Sequence, residues 1–390
     1  MRDFDRRDFI KTTGVLGTVG LTGLAGCTGG PSGDGEDTTT EQPDDAGGDG
    51  TSGETETEET TTAEDGGGDV TQVGMVYATG GLGDGSFNDQ AQTGLQQAAE
   101  EFDVEYSESQ PDEVAQFSNY QQQYASSTDP DYDLVSCIGF LQADSLSETA
   151  ANYPDQNFQI VDSVVESDNV GSYVFREHEG SYLVGVLAGH LTTMEFSAGA
   201  GSTRPDDTRV GFVGGVESAL IEKFEAGFKA GVTAVEEDAT IQTTYVGDFN
   251  DPTGGQEAAL RMYQDGSDVV YHAAGNTGTG VFQAAQEEGR FAVGVDRDQS
   301  VTRPDYADVI LASMVKRVDT AVYNAIEATV NGEFEGGAVT TLGLDDDGVE
   351  CVYGDQLGSE IPGDVESAVS DARQGIIDGD ISVPQDPSDV

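Results

Sequence analysis

The side chains best suited to hold a polar ligand stand where apolar, strand-like runs of the sequence end. Phe87 and Asn88 follow the first such run, Asp162 ends NFQIVD, Asp296 ends FAVGVD and Lys316 ends ILASMVK. Carboxylate, amide and ammonium groups exchange hydrogen bonds with polar ligands. An apolar ring at a strand-to-helix turn is normally unfavourable, so Phe87 in GDGSFND calls for a function. These residues are the first candidates for a ligand site.

Three further candidates lie in the second half of the chain. Phe224 falls in an amphipathic helix, and Gly275 and Gly278 follow the run VVYHAA. Each candidate also has a purely structural interpretation, because Phe224 suits a core, Asp296 suits a turn cap and Lys316 suits a solvated surface. Lys316 is the strongest candidate, since the whole chain has only four lysines and one of them directly follows an apolar strand.

No catalytic or metal-binding pattern accompanies these residues. The three histidines are scattered, and no Ser-His-Asp or Cys-His arrangement is apparent. The acidic runs DPDYD, DFNDP and DDDG lack the spacing of an EF-hand loop and are expected by chance in so acidic a chain. We therefore predict neither an enzyme nor a cofactor or metal site.

The charge of the chain argues against nucleic acid as a partner and indicates a high-salt environment. The 390 residues hold 74 Asp and Glu against 16 Lys and Arg, a formal net charge of −58. Nucleic-acid binding rests on Lys and Arg neutralising phosphates, so nucleic acid is excluded as a partner. Residues 70–390 alone hold 57 acidic and 12 basic residues, a net of −45. Such self-repulsion predicts a protein adapted to high salt.

The first 69 residues read as an export signal and a tether. Arg6 and Arg7 precede a short glycine-rich apolar stretch that is a poor transmembrane helix, and LAGC ends at Cys27. Residues 1–27 therefore predict a twin-arginine signal with a lipobox, lipidation of Cys27 and a lipid-anchored protein on the outer face of the cell membrane. Residues 28–69 are acidic and rich in Thr and Gly, which predicts a disordered tether.

From residue 70 strands and helices alternate, and the alternation restarts at RVGFVGGV near residue 209. This pattern predicts an α/β fold of two doubly wound lobes with parallel sheets around a central cleft, with ligand at the carboxyl ends of the strands. We place lobe 1 at about 70–195 and lobe 2 at about 205–320, followed by a C-terminal segment that crosses back. Cys137 and Cys351 lie in strand-like runs and are expected to be buried free thiols, a disulfide between them being the alternative.

Several blocks in this region resemble one known family. GDGSFNDQAQTGL, GFVGG, FEAGFKAGV, AAGNTGTGV, VGVDRDQ and ASMVKRVDTAV occur in the order seen in the basic membrane protein family of purine nucleoside receptor-like lipoproteins. The resemblance covers about 73–335. It departs at Gly85, where the family usually has lysine, a loss that adaptation to salt explains. It implies a type I periplasmic-binding-protein-like fold and delivery of nucleosides to the permease and ATPase subunits of an ABC importer.

The resemblance also implies a role for each candidate. Phe87 and Phe224 would sandwich the base, Asn88 and Asp162 would bind its polar edge, and Ser86 belongs to the same motif. Asp296 would accept hydrogen bonds from the ribose hydroxyls, and Lys316 would donate to ribose while pairing with Asp296. Gly275 and Gly278 would let the backbone approach the sugar. These implied ligand-binding residues are Ser86, Phe87, Asn88, Asp162, Phe224, Gly275, Gly278, Asp296 and Lys316.

Other functions compete with nucleoside capture. The same fold binds sugars and other small polar ligands, although two stacking rings favour a base. A sensory lipoprotein without transport is a second alternative, and an enzyme such as a nucleoside hydrolase is a third. Incubation with nucleosides and a search for free base would separate the enzyme from the binding protein.

Overall fold

The computed structural model describes residues 70–390. The signal and lipobox predicted in residues 1–27 and the tether predicted in residues 28–69 lie outside the described residues. Between residues 70 and 390 no helix is both long and apolar enough to cross a membrane.

Lobe 1 begins with a parallel sheet flanked by helices. Its first elements are β1 (Thr71–Val76), α1 (Phe87–Glu101), β2 (Val104–Ser109), α2 (Phe117–Ala125), β3 (Leu134–Ile138), α3 (Ala143–Asn152), β4 (Asn157–Val161) and β5 (Val170–Phe175). The strands pair in the order β2-β1-β3-β4-β5, all parallel. All five residues of β3, LVSCI, are buried, as expected for a parallel strand covered on both faces.

Lobe 2 repeats this arrangement. Its elements are α4 (Glu177–Thr192), the short β6 (Ser197–Ala198) and β7 (Gly201–Ser202), β8 (Arg209–Gly214), α5 (Ala219–Val235), β9 (Thr240–Tyr245), α6 (Pro252–Gln264), β10 (Val269–Ala273), α7 (Gly278–Glu288), β11 (Phe291–Asp296), α8 (Gln299–Thr302) and β12 (Ile310–Lys316). The parallel order β9-β8-β10-β11-β12 matches that of lobe 1. In both sheets the order reverses beside the first strand, and ligands bind at such switch points.

The chain passes between the lobes three times. Helix α4 follows β5 but packs against α5 and β12 of lobe 2. After β12, α9 (Val318–Val330) packs against α1, and β13 (Val339–Leu342) pairs with β5 in lobe 1. Then β14 (Val349–Tyr353) pairs antiparallel with β12, and α10 (Gly363–Ile377) packs on α4. The predicted end of lobe 1 near residue 195 is therefore corrected to the end of β5, because the buried face of α4 is covered by lobe 2.

Helices α4 and α5 cross in close backbone contact because glycines face each other. A Cβ at Gly185 would lie 2.3 Å from the carbonyl oxygen of Phe228, and a Cβ at Gly231 would lie 2.1 Å from that of Tyr182. A Cβ at Gly227 would lie 2.1 Å from the carbonyl oxygen of His178, whereas a Cβ at Gly189 would meet Val235 less closely, at 3.0 Å. The spacing of four in each glycine pair places both on one helix face. This crossing fixes α4, and with it the end of β5, against lobe 2.

The two cysteines of the described region are free. Cys137 lies buried in β3 of lobe 1, and Cys351 lies half-buried in β14 of lobe 2. The alternative of a disulfide between them is therefore wrong, because they belong to different sheets.

Candidate functional site

A cleft of about 700 Å³, part of it open to solvent, lies between the two sheets at the carboxyl ends of their strands. Its volume is in the range of small-molecule sites. Its walls include seven of the nine predicted residues, namely Phe87, Asn88, Asp162, Phe224, Gly275, Asp296 and Lys316. Ser86 and Gly278 do not line it. The walls are formed at the switch points of both sheets. Residues that follow β1 and β3 in lobe 1, and β8 and β10 in lobe 2, line the cleft.

An ion pair forms the floor of the cleft. The Nζ atom of Lys316, at the end of β12, donates to Oδ2 of Asp162 at 2.6 Å. The Lys316 residue is 2% exposed. Burial lowers the pKa of Lys316, but the Asp162, Asp296 and Glu177 carboxylates outweigh it and raise that pKa above its usual value. The sequence prediction that Lys316 pairs with Asp296 is therefore wrong, because the ammonium group lies against the carboxylate from the other lobe.

Asp296 is held by lobe 1 instead. Its Oδ2 accepts a hydrogen bond from Oγ of Ser86 at 2.5 Å. Ser86 thus lies behind the cleft wall and positions a carboxylate that lines it. Burial raises the pKa of Asp296 to about 6, although Lys316 and the Ser86 hydroxyl oppose the shift. This carboxylate therefore titrates close to neutral pH.

Both cleft aspartates adopt a backbone conformation that is unusual for residues other than glycine. Asp162 follows β4 with φ 69°, and Asp296 ends β11 with φ 64°. Aspartate tolerates the left-handed region better than most residues, at some cost in strain. The two occupy equivalent places in the two lobes, and both side chains line the cleft.

Three aromatic rings surround the Lys316 ammonium group. Its Nζ lies 4.8 Å from the ring centroid of Phe87 and 5.4 Å from those of Phe175 and Phe224. These distances are within cation–π range. Phe87 is half-buried at the first position of α1, whereas Phe224 is 2% exposed and also belongs to the core. Phe224 therefore serves both as core and as cleft wall.

A second pair of rings meets across the cleft, and the sequence analysis missed it. Phe140, after β3 in lobe 1, contacts Phe249, after β9 in lobe 2, edge to face with centroids 6.3 Å apart. Both rings line the cleft. The available signal was an aromatic residue in the segment that follows a strand, the same criterion that singled out Phe87.

Asp84 also lines the cleft, and the sequence analysis did not name it. Its buried carboxylate accepts the backbone N–H groups of Ser86 and Asn88, each at 2.9 Å, and that of Asp89 at 3.2 Å. It thereby satisfies free N–H groups at the start of α1 and fixes Phe87 and Asn88. Burial raises the pKa of Asp84, while these hydrogen bonds oppose the shift. An acidic residue just before a helix was the signal for this cap.

Asn88 is oriented by the strand that precedes it. Its Oδ1 accepts the backbone N–H of Ala78 at 2.9 Å. Within residues 70–390 its Nδ2 has no hydrogen-bond partner. The side chain thus presents a donor to the cleft.

The two predicted glycines have different roles. Gly275 has φ 54° and lines the cleft, so a conformation that favours glycine brings the backbone to the ligand space. Gly278 instead packs under a buried imidazole, where a Cβ would lie 1.9 Å from Cε1 of His272. The prediction that Gly278 lets the backbone approach a sugar is therefore wrong, because its missing side chain makes room for His272 at the start of α7.

The acidic runs of the sequence raise the question of a metal site. Across the described part of the chain, no cluster of three or more His, Cys, Asp or Glu side chains has the arrangement to hold a metal ion.

The fold resembles that of solved solute-binding proteins. A crystal structure of an ABC transporter solute-binding protein from Aeropyrum pernix K1 superposes with a TM-score of 0.71 at 30% identity, covering 82% of this chain and 95% of that one. This similarity confirms the predicted two-lobed α/β class.

Relatives of similar length support the same assignment. A CD4+ T-cell-stimulating antigen of Listeria innocua is 40% identical, with 81% of this chain and 88% of the relative aligned. The ABC transporter nucleoside-binding protein BmpA of Lactococcus lactis is 35% identical over 78% of this chain and 86% of its own length. An uncharacterized lipoprotein of Pyrococcus abyssi is 35% identical over 71% and 68%.

The match to a family model extends beyond the blocks that carried the sequence resemblance. The model of the PnrA-like ABC transporter substrate-binding proteins matches residues 71–386, which includes α10 and most of the segment after it. The chain therefore belongs to the Bmp family of ABC transporter substrate-binding proteins.

Proposed function

We propose that this substrate-binding protein captures nucleosides, purine nucleosides foremost, in the cleft and delivers them to an ABC importer. The observation that carries the proposal is the combination of Phe87 and Phe224 with the polar floor made by Lys316, Asp162 and Asp296. Aromatic faces suit a flat heterocycle, and charged groups suit sugar hydroxyls. The name of the Lactococcus lactis relative, a nucleoside-binding protein, supports the same ligand class.

The base would lie between the rings and meet one donor and one acceptor. Within the described residues, neither Nδ2 of Asn88 nor the buried Oδ1 of Asp162 has a hydrogen-bond partner. A buried acceptor without a partner is costly, so a ligand donor there gains affinity. The edge of a purine carries both donors and acceptors, which matches this pair.

The ribose would lie towards Asp296 and Gly275. A carboxylate accepts hydrogen bonds from two vicinal hydroxyls, and these charge-assisted bonds are stronger than neutral ones. Lys316 would donate to a ribose oxygen while it remains paired with Asp162. Gly275 would bring the backbone within reach of the sugar.

Substitution of Phe87 tests the stacking. We expect Phe87→Ala to weaken nucleoside binding by roughly ten- to a hundred-fold, about 1–3 kcal/mol, because one stacking face is lost. Titration calorimetry with adenosine, guanosine and inosine measures the change. Phe102→Ala is the matched control, since Phe102 lies at the other end of α1 and contacts Tyr323 outside the cleft. Equal affinities of the two variants would contradict the sandwich, and a wild-type protein that binds a sugar instead would overturn the nucleoside proposal.

The pH dependence tests the role of Asp296. Its pKa of about 6 means that the carboxylate is charged above that pH and gains a proton below it. We therefore expect the affinity for ribonucleosides to fall as pH drops from 7.5 to 5, and less so for 2′-deoxyribonucleosides. Asp296→Asn should bind ribonucleosides weakly and with a flatter pH profile. A wild-type profile that is flat, or identical for both sugars, would exclude Asp296 as the ribose acceptor.

We also propose that the protein is exported and anchored through Cys27. The twin arginines, the LAGC sequence and the Pyrococcus abyssi relative named a lipoprotein support this. Mass spectrometry of protein from the native membrane should find Cys27 as a lipid-modified N-terminus. An unmodified Cys27, or a retained signal, would contradict the anchor.

A further inference from the structure

A second cavity lies beside the segments that connect the lobes, and it shares no lining residue with the cleft. It measures about 1070 Å³ including the part open to solvent. We call it the hinge cavity, lined by Val174, Phe175, Arg176, His178, Glu179, Lys223, Thr341, Ile376, Gly379, Ile381, Ser382, Val383 and Gln385. Lobe 1 supplies the walls from β5 and β13, and lobe 2 supplies those from α4, α5, α10 and the segment after α10.

Two of the few cations of this chain, Arg176 and Lys223, line the hinge cavity. Nη1 of Arg176 donates to Asp345 at 3.0 Å and lies 3.6 Å from Glu179. Lys223 makes one long contact, 3.4 Å from its Nζ to Oε2 of Glu177. In the part of the chain that the structure describes, Nε and Nη2 of Arg176 have no partner. Both cations therefore keep hydrogen-bond donors available at the cavity wall.

A buried histidine lines the same cavity as these cations. His178 is 6% exposed and lines the cavity, and its Nδ1 has no partner among the described residues. Burial, Lys223 and Arg176 together lower the pKa of His178 to about 4, so the ring is neutral at pH 7. A buried polar atom without a partner is costly unless a ligand satisfies it.

Most of the carboxylate oxygens nearby already have partners. Glu179 lines the cavity, but its Oε2 accepts the backbone N–H of Leu344 at 2.9 Å and its Oε1 lies near Arg176. Glu177 is fully buried and does not line the cavity; its Oε2 lies 3.4 Å from Nζ of Lys223, and its Oε1 has no partner among the described residues. The open donors of Arg176, Lys223 and His178 also stand at the start of α4, a sixteen-residue helix whose N-terminus carries partial positive charge.

We propose that the hinge cavity binds a small oxyanion, a phosphate or carboxylate group, held by Arg176, Lys223 and His178. Charge-assisted hydrogen bonds from a guanidinium and an ammonium group are the usual means of holding such groups. The neutral imidazole adds one N–H donor. This site lies apart from the nucleoside cleft and goes beyond the proposed function. Of the three proposed anion contacts, Arg176 lies between β5 of lobe 1 and α4 of lobe 2, whereas His178 and Lys223 belong to lobe 2.

Anion titrations at constant ionic strength test the site. Sodium phosphate and sodium acetate are titrated separately into the full chain, with NaCl adjusted to hold the ionic strength, and heats and melting temperatures are recorded. We expect saturable binding of at least one anion, and the comparison of the two arms identifies which group the cavity prefers. Binding of neither anion would overturn the proposal.

Matched variants locate the binding. Arg176→Gln is expected to weaken anion binding at least ten-fold, His178→Gln to weaken it several-fold, and Arg176→Lys to retain part of it. Arg261→Gln is the control, since Arg261 is exposed, pairs with Glu257 and lies on α6, which supplies no residue to the cavity wall. Wild-type affinity in Arg176→Gln and His178→Gln would overturn the site, and circular dichroism of each variant shows that it is folded.

Discussion

Replacement of Lys316 by methionine is expected to lower the free energy of unfolding by about 3–5 kcal/mol and to abolish ligand binding. Methionine keeps the length of the side chain but leaves Asp162 buried without its partner, and Asp296 loses the positive charge that lowers its pKa. Breaking one side of a buried ion pair is costly because an uncompensated charge remains in a medium of low dielectric. Urea unfolding at one fixed salt concentration measures the loss.

A double-mutant cycle separates the ion pair from the packing of the lysine stem. Lys316→Met combined with Asp162→Asn should lose less than the sum of the two single variants, because no charge of the pair is then left behind. Additive losses would show that Lys316 stabilises the protein by packing alone. Lys223→Met provides a comparison at an ion pair with a longer N–O distance, 3.4 Å instead of 2.6 Å.

The crossing of α4 and α5 should be equally sensitive to added volume. We expect Gly231→Leu to destabilise the protein by at least about 3 kcal/mol, the upper end of the usual range for overpacking. Already the Cβ would lie 2.1 Å from the carbonyl oxygen of Tyr182, and a backbone atom cannot turn away as a side chain can. Thermal unfolding followed by circular dichroism measures the effect.

The control for this substitution lies on another helix. A Cβ at Gly363, at the start of α10, would have no atom within 4 Å, and the residue has no left-handed φ, so Gly363→Ala should be neutral or slightly stabilising. If Gly231→Leu were tolerated as well as Gly363→Ala, the two helices would not depend on backbone contact. In that case α4 and α5 would have to move apart to make room for the leucine side chain.

Local patterns in the sequence were sufficient to predict the two parallel sheets and several residues that line the cleft between them. Apolar strand runs such as LVSCI and VVYHA become buried parallel strands, since only a covered sheet buries both faces of a strand. Residues that directly follow such strands reach the cleft, because parallel strands bring their carboxyl ends to one edge. This rule placed Asp162, Asp296 and Lys316 correctly in the cleft wall.

Local sequence patterns could not predict which charged side chains pair in the cleft, because pairing depends on distances between residues far apart in the chain. Lys316 has two aspartates within reach, and only the relative placement of the lobes decides that Asp162 is its partner. The helix pattern of α4 was recognised, but its lobe was not, because the glycines that dock it on α5 lie more than thirty residues apart in sequence. Gly278 was predicted to face the ligand because its contact with the His272 ring could not be inferred from the sequence.

The left-handed aspartates reveal both the likeness of the two halves of the cleft and the point where they differ. Asp162 and Asp296 lie at the ends of corresponding strands in two sheets of identical order. The next strand of each half ends differently, with Phe175 in lobe 1 and Lys316 in lobe 2, and Nζ of Lys316 lies 5.4 Å from the centroid of the Phe175 ring. A ring at one position and an ammonium group at the equivalent position thus give two similar halves unequal chemistry. Such a cleft can distinguish the two ends of an asymmetric ligand.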